Sequence, residues 1–318
     1  MSGVQDDDVL DLLDFQGFFA LLKYPCPESK NEILSKLEED GIIVRRSSRF
    51  DITNLGALLI ARDMRKFEHI SRKALRIIFY RDNGRLNVKN EFTINKGYAV
   101  GFNETLDYLN KTLPINEDFE RALRTSTPEY PPKAVREFLA NALMHQDLTI
   151  RGTSPMIEVF ESRLEITNPG RPLIDTQRFL DHSPVSRNEK MASLMRRMEI
   201  CEEKGIGIDR AISQCELYQL PAPDFQTGDM YTKVVMFAPM SLRQMNKEDK
   251  IRACYQHCCL QFISGERMNN ESFRNRLNIQ SKNYPVASRI IKETINVGLI
   301  KSDGNGTGKF MRYVPYWV

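Results

Sequence analysis

The segment Arg136-Glu137-Phe138-Leu139-Ala140-Asn141-Ala142-Leu143-Met144-His145-Gln146-Asp147 constrains this chain more than any other. Its residues are good helix formers, and Phe138, Leu139, Ala142 and Leu143 give it an apolar side. On such a helix Glu137, Asn141 and His145 recur at i, i+4, i+8. At about 100° per residue they drift only about 40° per step, so a carboxylate, an amide and an imidazole stack along one face. A Glu-x-x-x-Asn pair alone occurs on many surface helices. Beside an apolar stripe the same row suits a helix lining a nucleotide-phosphate site, where an Asn oxygen can hold Mg2+ and a Glu can position water.

Two segments downstream strengthen this reading. Arg163-Leu164-Glu165-Ile166-Thr167-Asn168-Pro169-Gly170-Arg171-Pro172 alternates like a strand and ends in a glycine turn. Glu202-Glu203-Lys204-Gly205-Ile206-Gly207-Ile208-Asp209-Arg210 is a Gly-x-Gly loop that runs into the helical stretch Ala211 to Cys215. Paired glycines at a helix start let backbone amides approach phosphate oxygens, and the helix dipole favours the anion. A lone Gly-x-Gly would equally be a helix cap. The ordered trio is much more specific than its parts.

The trio resembles the N box and the two glycine boxes of the gyrase, heat-shock chaperone, histidine-kinase and MutL type of ATPase, the Bergerat fold. It is more similar still to the RecG-like, Schlafen-associated ATP-binding transcriptional regulators. Their pattern is matched by Pro132 to Glu137, by Asn141 to Asp147, by Ile166 to Gly170, by Ser183 to Asn188 with one extra residue, and by Glu202 to Ile208. The resemblance is dense over residues 130–240.

It implies ATP and Mg2+ as ligands, with Glu137 orienting or deprotonating the hydrolytic water and Asn141 on the metal. Asn168 stands where the superfamily has an Asp that accepts from the adenine amino group, and an Asn oxygen can accept the same bond. Gly170 would allow close approach of base or ribose. Gly205 and Gly207 would carry the phosphate loop, and Arg187 and Asn188 would lie on a lid over the phosphates. The first glycine box lacks its second Gly. His145 replaces a Glu that in some relatives faces the Arg after that box, here Arg171. Nucleotide binding is therefore expected over fast turnover. The family also implies a preceding Schlafen-type nucleic-acid module, which this sequence does not show, so nuclease-like activity is not expected.

At 318 residues the chain is long enough for two or three domains. Its 45 Lys and Arg against 42 Asp and Glu leave a net of +3, too small for nucleic-acid binding over the whole surface. Any such contact must be local. No stretch has the length of a membrane span, and the opening Met-Ser-Gly-Val-Gln-Asp-Asp-Asp is no signal peptide. Asp6, Asp7 and Asp8 read as a solvated terminus. The six cysteines show no metal spacing. Cys254, Cys258 and Cys259 share a helix with His257 and read as reduced, partly buried thiols, which implies a cytoplasmic protein.

The expected fold class is α+β. Residues 1–60 form a helical, wing-like adaptor, in which Ser29 caps a helix that Gly41 stops and two short strands follow. Residues 61–240 form the Bergerat-like α/β sandwich, with a lid near 175–204. Residues 241–318 carry helices over Lys250 to Ile263, Glu271 to Leu277 and Lys282 to Val297, then two strands about a Gly-rich loop. That is the order of a winged helix-turn-helix. Val286, Ile290, Ile291 and Ile295 would face inward. Lys282, Arg289 and Lys292 on the third helix and Lys309 and Arg312 on the wing would contact DNA, although many winged modules only dimerise or bind protein. Trp317 would pack the last strand on that module.

The expectation is an ATP-binding, DNA-associated transcriptional regulator with slow or no hydrolysis, a weak Mg-dependent ATPase at most. The alternative is a non-catalytic nucleotide-binding scaffold subunit of an assembly, in defence against foreign DNA. A homodimer or a protein partner stays open.

Overall fold

The computed structural model describes residues 1–118, 125–183, 185–201 and 205–318. Helices α1 (Asp6–Leu12), α2 (Phe15–Leu21) and α3 (Lys30–Glu39) lead into the antiparallel hairpin β1 (Ile43–Arg46) and β2 (Arg49–Ile52). Ser29 caps α3 by accepting from the Glu32 amide, and Gly41 leaves it at φ +71°. Asp7 and Asp8 are solvent-exposed, and with Asp6 they form the first turn of α1, where the helix dipole favours carboxylates; Asp7 accepts from Lys30 at 2.5 Å. Helix α4 (Asn54–Ile60) is buried over Gly56–Ile60.

The centre is a six-stranded mixed sheet. Its strands are β3 (Leu75–Tyr80), β4 (Val88–Ile94), β7 (Met156–Val159), β8 (Arg163–Pro169), β9 (Asp224–Thr227) and β10 (Tyr231–Phe237), in the order β4-β3-β7-β8-β10-β9. Only β3 and β7 pair in parallel. Register places Phe92, Ile77, Ile157, Ile166, Val234 and Phe225 in one row across all six strands. That row faces the helices α5 (Phe102–Thr112), α6 (Pro132–Met144), α7 (Glu189–Arg197) and α8 (Gly207–Leu217). The next row carries Glu158 and Glu165 side by side, both buried. Arg85 bridges them at 2.9 and 2.8 Å, which offsets the cost of burying two like charges. A short hairpin, β5 (Ile115–Asp118) with β6 (Thr125–Pro128), precedes α6.

One hydrophobic core runs continuously from Val9 through the N-terminal helices to Met236 of β10. Residues 1–60 thus share their core with the sheet. A second core joins α9 (Lys247–Ile263), α10 (Asn270–Arg276), α11 (Tyr284–Asn296) and the paired strands β11 (Ile300–Ser302) and β12 (Tyr313–Pro315). Leu180 and Ile212 from the central region enter this second core.

Two C-terminal expectations need correction. Lys282 is not on the third helix but in the 3-10 turn Ser281–Asn283, because Pro285 sits in the first turn of α11 and starts the helix at Tyr284. Ile295 is exposed, and Thr294 takes the inward position with Ala287, Ile290 and Ile291. Arg289 and Lys292 lie exposed on α11, and Arg312 is exposed just before β12. Lys309 lies in the 3-10 turn Gly308–Phe310. Among the described residues no helix is long and apolar enough to cross a membrane.

Candidate functional site

Helix α6 starts at Pro132, whose missing N–H costs nothing in a first turn, and ends at Met144 with His145 as its C-cap. Its apolar residues Phe138, Leu139, Ala142 and Leu143 are buried against the sheet core. The polar row Glu137, Asn141 and His145 therefore borders a cleft of about 230 Å³ beside that core. Opposite stand Asn168 of β8, Thr232 and Lys233 of β10, and Gly205, Gly207 and Ile208 at the start of α8. A third wall carries Leu173, Phe179, His182 and Ser183.

Each edge of the cleft has its own chemistry. Asn168 is 6% exposed, and its amide sits 3.4 Å from the Pro169 carbonyl, a long contact. Thr232 lies opposite Asn168 in register and donates its hydroxyl to the Gly170 carbonyl at 2.7 Å. Burial, with the Arg187 charge added, pushes the His145 imidazole down to about 4, so it is neutral near pH 7. Burial, with the nearby Glu137 charge added, pushes the Cys201 thiol up to about 12, so it is no nucleophile. Gly205 has φ +70° and Gly207 is the first residue of α8, which leaves a helix start facing the cleft. Glu202, Glu203 and Lys204 lie outside the described residues.

The structure brings together Glu137, Asn141, Asn168, Gly205 and Gly207. Gly170, Arg187 and Asn188 are not among the residues that line the cleft. Asn188 donates to the Met144 and Gln146 carbonyls at 2.9 and 2.8 Å, so it closes the C-terminal end of α6. Arg187 donates to the Arg171 carbonyl at 3.1 Å and reaches the His145 carbonyl at 3.5 Å. Gly170 has φ +100°, and a Cβ there would stand 2.6 Å from Asp147 Cβ. Its close approach is to Asp147, whose amide donates to Pro169 at 2.7 Å. Arg171 pairs with Asp229. Sequence reasoning missed Thr232, Phe179, His182 and Arg196. Thr232 could have been found only from strand register; Phe179, His182 and Arg196 fall within the segment 175–204 expected to be a lid, where nothing singles them out.

No group of three or more His, Cys, Asp or Glu among the described residues could hold a metal. A hard cation at Asn141 would therefore share its shell with ligand oxygens. His257 is engaged otherwise: its Nδ1 lies 3.0 Å from Glu216 and its Nε2 3.3 Å from the Ser272 hydroxyl.

Residues 152–236 match the HATPase_c_4 family model, described as "Putative ATP-dependent DNA helicase recG C-terminal". Asn168, Gly170, Gly205 and Gly207 fall inside the match, and α6 lies before it. Among curated proteins there is no match. The crystal structure of the DIP2311 protein from Corynebacterium diphtheriae is similar, with a TM-score of 0.58 at 17% identity over 96% of this chain. The match spans 62% of that chain, and at such identity the likeness is one of fold. The middle of this chain is thus similar to an ATPase domain, within a mixed α+β fold.

Proposed function

We propose that the chain binds ATP with Mg2+ in the cleft between α6, the β8 and β10 strands and the start of α8. One observation carries this reading. Two glycines at a helix start and the Glu137–Asn141 row, more than 60 residues apart in sequence, line one cleft beside a buried Asn168. Asn141 would hold Mg2+ together with phosphate oxygens, and the metal would neutralise phosphate charge. Glu137 would position the water, Asn168 would accept from the base amino group, and the α8 start would face the phosphates. Residues 241–318 would act as a winged helix-turn-helix that docks on DNA through Arg289, Lys292 and Arg312, with Lys282 and Lys309 flanking. The whole would be a DNA-associated regulator.

A non-catalytic nucleotide-binding scaffold is the second reading. It is favoured by Arg187 and Asn188, whose donors serve backbone carbonyls. A melting-temperature series with a non-hydrolysable ATP analogue and Mg2+, on wild type and Asn141→Ala, tests the binding site. Equal shifts in the two proteins would remove Asn141 from it.

A further inference from the structure

The wall segment Thr176–Ser183 has two sides. Phe179, His182 and Ser183 line the cleft. Leu180, between Phe179 and Asp181, is buried in the second core with residues of α9 and α11. The Gln177 carbonyl accepts from the Tyr255 hydroxyl of α9. The Arg178 guanidinium lies 5.0 Å from the centre of the Trp317 ring, held there by Asp181 at 2.8 Å. Trp317 in turn donates to the Tyr255 oxygen at 3.3 Å and meets Phe262 edge-on at 5.3 Å. Within eight residues, the same backbone forms cleft wall and seat of the C-terminal helices.

Helix α8 repeats the arrangement. Gly207 at its start lines the cleft, and Ile212 at its middle enters the second core. At its last turn Glu216 lies 3.0 Å from His257 of α9 and 3.0 Å from Arg276 of α10. All three side chains are largely buried, so the link is poorly screened by solvent.

We infer that filling the cleft repositions the Thr176–Ser183 segment against the C-terminal helices, so that occupancy is read out at the Arg178–Trp317 contact. The inference rests on the proposed nucleotide reading and adds its regulation. A ligand can shift an arrangement only through differential contacts. Phe179 and His182 supply such contacts, and Leu180 and Arg178 carry the displacement, because a packed core does not deform continuously.

Trp317 is the only tryptophan of the chain, and it does not line the cleft. Its emission therefore reports the far side of the segment. Mg2+ with a non-hydrolysable ATP analogue should give a saturable change in Trp317 emission. Its half-saturation should equal that of calorimetric binding. Arg178→Ala should keep binding and lose the emission change. If that variant fails to fold, Tyr255→Phe, which removes one hydroxyl, should weaken the change without weakening binding. Calorimetric binding with constant Trp317 emission overturns the inference and leaves the nucleotide reading standing. No binding at all overturns both.

Discussion

The side-chain amide of Asn188 lies 2.9 Å from the carbonyl oxygen of Met144 and closes the last turn of α6 from 44 residues away. A second bond from the same amide reaches Gln146 at 2.8 Å. The helix that carries Glu137 and Asn141 is thus terminated by a side chain from the segment expected to be a lid. Its polar row is held in place by that closure.

Asn188→Ala should destabilise the fold by about 1–3 kcal/mol, because two half-buried carbonyls lose their donor. Asn188→Asp should do no better, since a carboxylate cannot donate to a carbonyl. Urea denaturation checks both, and an unchanged midpoint would show the closure to be dispensable.

Gly170→Ala should also destabilise, by about 2 kcal/mol or more. The added methyl meets Asp147 at 2.6 Å, at a φ of +100° that side-chain-bearing residues rarely adopt. A wild-type melting temperature in this variant would mean that the β8 turn relaxes freely.

Glu137→Ala should retain ATP-dependent stabilisation while any hydrolysis falls about 100- to 10,000-fold, the usual loss on removing a general base. Phosphate release measured beside the melting shift separates the two effects. If wild type releases no phosphate with or without duplex DNA, the scaffold reading replaces the enzyme reading.

The His145 environment predicts an acid-side loss of stability. Its imidazole titrates at about 4 in the fold against 6.5 ordinarily, so below 6.5 the unfolded chain takes up a proton that the folded one refuses. Stability from this residue is complete above 6.5 and is lost as pH falls towards about 4. His145→Gln should flatten that part of the profile, by about 2–3 kcal/mol over the window. Denaturation at stepped pH measures it, and parallel profiles would refute the assignment.

If the C-terminal helices contact duplex DNA, Lys292 and Arg312 should each meet a phosphate, since both are exposed. Replacing both with Ala should weaken affinity and flatten the slope of log affinity against log salt by about 2. Affinity measured at several salt concentrations decides it. No binding by wild type, with or without ATP, would make these helices a protein-docking surface.

The sequence by itself determined the elements and the faces they present. Helical spacing put Glu137, Asn141 and the C-cap His145 on one side of α6, and alternation set β8. Ser29 and the Gly205–Gly207 pair marked helix starts. These features are local: a period or a cap is written within a few residues. Even locally the reading slipped where Pro285 started α11 later than its apolar pattern suggested. Only the tertiary structure decided that Asn188 serves α6, that Gly170 makes room for Asp147, and that Arg178 rests on Trp317. The partners in these pairs stand from 23 to 139 positions apart in the sequence. Nothing in a residue's own neighbourhood names such a partner, because chain topology and close packing choose it once the sheet and both cores have formed.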